Sequence, residues 1–470
     1  GMFAFALWER DSGRLLLARD RLGIKPLYLA ELPGGLRFAS SLPALARSEG
    51  VSRTIDPVAL HHYMSFHAVV PAPRTIIEGV RKLPPATTLT IERDGRRREQ
   101  RYWYLSYMPQ AGDDEVTEAE WQEALLVALR RAVKRRLVAD TPVGVLLSGG
   151  VDSSLIVGLL AEAGQSGLAT FSVGFDSIDD EDGDEFRYSD IIAERFATNH
   201  HKIAVDCEDF LPRVSDSIAA MSEPMVSHDN VGFYLLSREV SKQVRVVQSG
   251  QGADEVFGGY HWYPPLLDSN DPAADYARVF FDRDHEGFAE AVQPEYLGED
   301  HSRAFVERHF EEVEATRPVD RALHLDSTVM LVDDPVKRVD NMTMAWGLEA
   351  RVPFLDHELV ELAARIPADL KIKNGGKHIL KEAARRVIPS AVIDRPKGYF
   401  PVPALKRIRG ATLDFVRLLL NEPAARERGI FRRDYVDRLL AEPEAHITPL
   451  NGSKLWQVAL LEAWLQTHRI

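Results

Sequence analysis

The chain has 470 residues, 57 basic and 71 acidic, a net charge of −14, 45% hydrophobic residues and one cysteine. That is the composition of a folded protein with a sizeable core, and it leaves no room for a disulfide framework or a cysteine-based zinc cluster. The acidic balance argues against a nucleic-acid or anionic-membrane binder, the lack of an 18-residue apolar run against a spanning helix, and the lack of a signal peptide points to a cytoplasmic location.

The first hundred residues read as strands. Gly1 to Trp8 is an apolar run with the character of a strand interior, and Asp11-Ser12-Gly13 turns it into a second run, Arg14 to Ala18. Leu36 to Ala39 follows the turn Pro33-Gly34-Gly35, and Asp94-Gly95 joins Thr87–Ile91 to a returning strand, Arg96 to Tyr104. Residues 105–116 read as a linker. Thr117 and Glu120 then form a capping box before a helix with Leu125, Ala128, Leu129, Ala132 and Val133 on one face.

From there strands and helices alternate. Val143–Leu147, Ala169–Phe175 and Val244–Gln248 are strand candidates, with helices over 153–163, 188–197 and 230–242 between or after them. Alternation of this kind predicts a doubly wound parallel α/β sheet. Beyond residue 300 the pattern is helical, ending with Leu455 to Gln466. The acidic stretch Asp176 to Glu185 reads as a solvated loop. The histidine pairs His61-His62, His200-His201 and His357-Glu358 complete no metal motif and are expected to make ordinary hydrogen bonds. Cys207 carries no catalytic signature. Arg338, Asp340, Glu349 and Arg351 are expected to serve as structural ion pairs.

The strongest chemical signal is Ser148-Gly149-Gly150-Val151-Asp152-Ser153-Ser154, between a buried strand and a helix. Glycines let backbone N–H groups approach a phosphate, and the helix start favours its charge. An aspartate in such a loop makes sense once Mg²⁺ bridges it to phosphate oxygens. Gly150 stands where a Walker A loop needs lysine. A second glycine-rich segment, Ser249 to Tyr260, follows the strand at 244–248 and brings Asp254 as a partner for Asp152 on one metal.

The first of these loops resembles the PP-loop of ATP pyrophosphatases. Together LLSGGVDSS (146–154), FSVGF (171–175), SGQGADEVFGGY (249–260), MTMAWGLEARVPFLDHELVELA (342–363), GGKHILKEAA (375–384) and DRPKGYF (394–400) resemble the glutamine-dependent asparagine synthetase family. FAFALWERDSGRLLLARDRLGIKPLYLA (3–30) is similar to the back half of that family's glutaminase domain.

The resemblance implies an adenine-nucleotide-hydrolase-like synthetase domain over 117–470 with a helical C-terminal part. Residues 1–110 are then a strand-rich, partial class II glutamine amidotransferase domain. It implies adenylation of a small carboxylate by ATP with Mg²⁺, then displacement of AMP by ammonia. Leu147, Ser148, Gly149, Gly150, Asp152, Ser153, Ser154, Val173, Ser249 and Gly250 are the implied ATP and AMP contacts. Asp152 and Asp254 are the implied metal ligands, and Lys377, Lys397 and Gln251 the implied catalytic residues. A homodimer is compatible with the reading.

Two departures matter. The family's usual SGEGSDE has glutamate where this chain has Gln251, and an amide takes no proton at neutral pH. The blocks 227–234 and 259–265, with Tyr399-Phe400-Pro401-Val402-Pro403, resemble amidotransferases acting on N-acetylglutaminylglutamine. The aromatic segment 260–263 is then expected to line a larger acid pocket. Secondly, the family's nucleophilic cysteine and its glutamine-holding residues lie ahead of GMFAFALW. The sequence is therefore expected to be N-terminally truncated, inactive on glutamine and dependent on free ammonia. Asparagine formation from aspartate, β-lactam-synthetase-like ring closure and a nucleotide-binding module without turnover remain alternatives. A tRNA-modifying PP-loop enzyme fits poorly, given the net charge and the single cysteine.

Overall fold

A computed structural model describes residues 1–175, 186–205, 210–227, 229–395 and 408–470. Lys397, Cys207, the acidic stretch 176–185 and Tyr399 to Pro403 lie outside the described residues. The N-terminal part holds seven strands: β1 Ala4–Glu9, β2 Arg14–Arg19, β3 Tyr28–Leu32, β4 Gly35–Ala39, β5 Val80–Lys82, β6 Thr87–Ile91 and β7 Arg97–Arg101. They form two antiparallel sheets, ordered β1-β2-β6-β7 and β4-β3-β5. Asp94-Gly95 makes the expected hairpin, with Gly95 at φ +86°. The run at the start of the chain is an edge strand, so Phe5, Leu7 and Trp8 are exposed where a strand interior was expected. β3 and β5 had no clear sequence signal, and neither did the helix Pro57–Ser65, which starts on the Asp56 cap.

The segment 105–116 is less of a linker than its composition suggests. Leu105 and Tyr107 are buried, and Asp113 sits buried against the Arg365 guanidinium, 3.1 Å from Nε. The capping box at Thr117 and Glu120 then opens the helix Glu118–Arg135.

The second part is built on a five-stranded parallel sheet: β8 Val143–Leu146, β9 Ala169–Phe175, β10 Asn199–Val205, β11 Val246–Gln248 and β12 Glu349–Arg351. The order is β10-β9-β8-β11-β12. The chain winds outward from β8 to β10, then returns to the other side of β8 with β11. The reversal point of a doubly wound sheet therefore lies between β8 and β11, where the loops beyond the strand ends splay apart and leave a crevice. Both glycine-rich loops leave the sheet there. The other elements among the described residues of this part are helices, the last being the buried helix Lys454–His468. Among the described residues no helix is long and apolar enough to cross a membrane.

Candidate active site

The loop after β8 is held by its own hydroxyls. The Leu147 N–H donates to the Phe171 carbonyl at 2.7 Å. The Ser148 N–H donates to Ser153 Oγ at 3.2 Å, and the two hydroxyls lie 3.1 Å apart. Gly149 has φ +72°, and a Cβ there would lie 2.7 Å from the Ser189 nitrogen. That position tolerates only glycine. Gly150 is the N-cap of the helix Val151–Glu162 and makes no side-chain cap, so the positive end of the helix is turned to the loop without a capping side chain.

The second loop closes against the first. A Cβ on Gly250 would come within 3.0 Å of Asp152 Cβ and 3.1 Å of the Ser153 nitrogen. This close approach puts Asp152 and Asp254 side by side. Lys377 Nζ donates to Asp152 Oδ2 at 2.7 Å and lies 2.9 Å from Asp254 Oδ1. The lysine arrives from the turn Gly375-Gly376-Lys377, where all three residues have positive φ. Burial works against its ammonium, yet the two carboxylates outweigh burial and hold its pKa above the ordinary lysine value.

These groups open onto a cavity of about 340 Å³. Leu147, Ser148, Gly150, Asp152, Ser153, Val173, Ser249, Gly250, Gln251, Asp254 and Lys377 line it, all named from sequence. Gly149 and Ser154 do not; Ser154 is fully buried beneath the loop. The cavity adds Lys381, Arg395 and Asp229, which sequence reasoning did not select. Lys381 carries a readable signal, since it follows Lys377 by one helical turn. Arg395 stands beside the Lys397 motif; its guanidinium lies 4.7 Å from the Tyr188 ring centre, and Nη2 is 3.5 Å from where a Gly150 Cβ would be.

The aromatic segment goes elsewhere. Tyr263 OH and Trp262 Nε1 donate to buried Asp326 at 2.6 and 3.1 Å, and Tyr260 OH donates to buried Glu255 at 2.6 Å. These rings pack the core behind the site and do not form an acid pocket in its wall. Burial, with Asp254 adding to it, pushes the Glu255 carboxyl up to about 7, and burial raises Asp326 to about 6.

The four charged residues expected to pair do so, but separately. Arg338 Nη1 is 3.8 Å from Asp229 and 3.5 Å from Asp334; Arg351 meets Glu349 at 3.0 Å; Asp340 takes Lys25 of the N-terminal part at 2.6 Å. His200 makes ordinary hydrogen bonds, to Thr170 at 2.9 Å and Ser189 at 3.2 Å. Burial and neighbouring histidines push His61 and His62 down to about 3, so both rings are neutral at physiological pH.

The site fits a divalent cation. Asp152 Oδ2 and Asp254 Oδ1 converge on one positive point, taken here by Lys377 Nζ, and paired hard oxygens are what Mg²⁺ with phosphate requires. Glycine loops, helix amides, paired carboxylates and cations at the reversal point of a parallel sheet define a nucleotide-binding α/β protein of the PP-loop type.

The chain belongs to the asparagine synthase family. The family model "Asparagine synthase" matches residues 124–466, and "Glutamine amidotransferase domain" matches residues 1–103. Asparagine synthetase [glutamine-hydrolyzing] 1 of Bacillus subtilis is 30% identical over 503 residues, covering 99% of this chain and 77% of that protein. A putative asparagine synthetase of Mycobacterium tuberculosis is 32% identical, covering 88% of this chain and 68% of the relative. Asparagine synthetase B of Escherichia coli is 29% identical, covering 95% and 71%. At the level of the family, the chemistry is ATP-dependent amide formation.

Proposed function

We propose that the chain adenylates a carboxylic acid and passes ammonia to the activated carbon, and that the acid is a blocked dipeptide of the N-acetylglutaminylglutamine type. The observation that carries the chemistry is the convergence of Asp152, Asp254 and Lys377 between two glycine-rich loops. In this reading residues 117–470 are the synthetase domain and residues 1–110 part of a glutamine amidotransferase domain.

Leu147 and Val173 offer an apolar seat for the adenine end, with Ser249 and Gly250 beside it. Ser148, Ser153 and the amides from Gly150 onward face the phosphates. Asp152 and Asp254 would hold Mg²⁺, which neutralises phosphate charge and makes pyrophosphate a better leaving group. The acid's carboxylate oxygen attacks the α-phosphorus, and the bond to pyrophosphate breaks. Lys377, Lys381 and Arg395 are cations fixed in place before charge builds there, which is where electrostatic catalysis gains most. Lys397 joins them by sequence pattern alone.

Ammonia then attacks the acyl carbon, the carbon–oxygen bond to AMP breaks, and the nitrogen sheds a proton. Gln251 can orient the nucleophile but cannot accept that proton. The step therefore depends on free ammonia rather than ammonium. Gln251 and the block 227–234, whose Asp229 and Phe233 line the cavity, support the dipeptide. The asparagine synthetase names of the relatives favour aspartate as a second reading.

ATP–pyrophosphate exchange separates the two. The 470-residue chain is expected to exchange with acetyl-Gln-Gln and to form amide with ammonium. Exchange with aspartate alone would sink the dipeptide, and ATP binding without exchange for any acid would leave a nucleotide-binding module.

A further inference from the structure

The expectation that His61 makes only ordinary hydrogen bonds rested on neighbours in sequence. The fold brings it different ones. His61 stands on the helix Pro57–Ser65 of the N-terminal part. Facing it are His285, the first residue of the helix His285–Ala291, and Asp300, the N-cap of the helix His301–Glu312. His61 Nε2 lies 3.1 Å from His285 Nδ1 and 3.7 Å from Asp300 Oδ1, and one ligand atom from each residue falls within 4.8 Å of the others.

We propose that His61, His285 and Asp300 form a binding site for a divalent transition metal, zinc by chemical class, joining the N-terminal part to the helices of the second part. Atoms about 2.0–2.1 Å from a tetrahedral zinc lie about 3.3 Å apart, and the two distances from His61 Nε2 bracket that value. Asp300 is partly exposed and can close the remaining gap; solvent supplies the fourth ligand and the route of entry.

The remote nitrogen of His61 is also held as a metal ligand requires. His61 Nδ1 is 2.9 Å from Ser302 Oγ, and that hydroxyl is 3.1 Å from His62 Nδ1. If His61 Nδ1–H donates to the serine and the serine donates to His62, the Nε2 lone pair faces His285 and Asp300. A fixed remote hydrogen bond sets ring orientation and tautomer in histidine metal sites. His61 further packs on Phe288, ring centres 4.5 Å apart, so the ring cannot swing away. Two imidazoles with one carboxylate favour zinc, cobalt or nickel over Mg²⁺, so this site is distinct in preference from the paired aspartates of the cavity.

The test uses the whole chain, stripped of metal with a chelator, kept in millimolar Mg²⁺ and titrated with Co²⁺ and then Zn²⁺. One equivalent of Co²⁺ is expected to give the intense visible bands of a four-coordinate ion, which one equivalent of Zn²⁺ removes while raising Tm by a few degrees. His285→Gln and Asp300→Asn, the latter retaining a capping acceptor for Arg303, should each abolish the bands and the Tm rise without lowering the metal-free Tm. The proposal is overturned by weak six-coordinate bands, by no bands, or by bands or a Tm rise that persist in either variant. A variant with a lowered metal-free Tm is judged on the bands alone.

Discussion

Among the described residues, lysine meets paired carboxylates at two places, and the two differ in access to water. In the cavity, Lys377 (7% exposed) meets Asp152 (20%) and Asp254 (24%). Where the N-terminal part packs on the second, Lys82 (2%) and Lys337 (6%) meet Glu223 (2%) and Asp333 (4%). Lys82 Nζ lies 2.8 Å from Asp333 and 3.1 Å from Glu223; Lys337 is 3.3 Å from each. The same chemical pairing has opposite uses. Carboxylates on a wet wall can exchange one cation for another, which suits nucleotide and metal binding. Two lysines and two acids sealed together have no solvent to replace a lost partner, so they register one part of the chain on the other.

Three substitutions break this comparison at different points. Asp152→Asn should reduce ATP–pyrophosphate exchange by about a hundredfold or more, because it removes a ligand of the proposed Mg²⁺. Tm should hardly move, as Lys377 keeps Asp254; unchanged exchange would take Asp152 out of the mechanism. Lys82→Met should do the reverse. It leaves two sealed carboxylates to one lysine and should cost about 3 kcal/mol in urea unfolding, with the KM for ATP unchanged. A loss below about 1 kcal/mol would show that the interface cluster is not sealed in solution.

The smallest effect is on pH dependence. Glu255, just behind the cavity, has its carboxyl pushed up to about 7 by burial, with Asp254 adding to the shift. Its folded pKa lies above the unfolded value of about 4.3, so the stability of the protonated form is complete below that pH. It is lost as pH rises through about 7. Asp333 has the opposite sign: burial opposes ionisation, but Lys82 and Lys337 hold its carboxyl below the usual range. Its stability is present above the ordinary aspartate pKa and lost in acid. Glu255→Gln should therefore flatten the stability decline between pH 5 and 7.5, a slope of at most about 1.4 kcal/mol per pH unit, and leave the acid limb unchanged. Unfolding midpoints that keep the same slope would show that Glu255 is ionised in the fold.

The glycine loops, the capping box at Thr117 and the parallel sheet were legible because each depends on local chemistry. A loop that must approach phosphate advertises itself in glycine and serine. β12 was not legible: Glu349–Arg351 is three residues with charged ends, a strand only because β11 lies beside it. The exposed face of β1 was misread for a related reason, since an apolar run does not say whether anything covers it. Trp262 and Tyr263 misled because aromatics near a site look like a pocket, while their hydroxyl and indole groups were answering Asp326. The grouping of His61 with His285 and Asp300 depends on segments far apart in the chain, and no local pattern announces it.

Gly259 has a consequence that reaches past its own backbone. A single methyl there would sit 2.1 Å from Asp254 Oδ1 and 2.3 Å from Lys377 Cε. The residue has no functional group and no positive φ in this structure. Yet the smallest substitution open to it would push the ammonium and a carboxylate off their shared point. Position 259 therefore has a narrow mutational tolerance: a change from glycine to alanine would read, in any screen for activity, like the loss of a charged residue more than a hundred positions away.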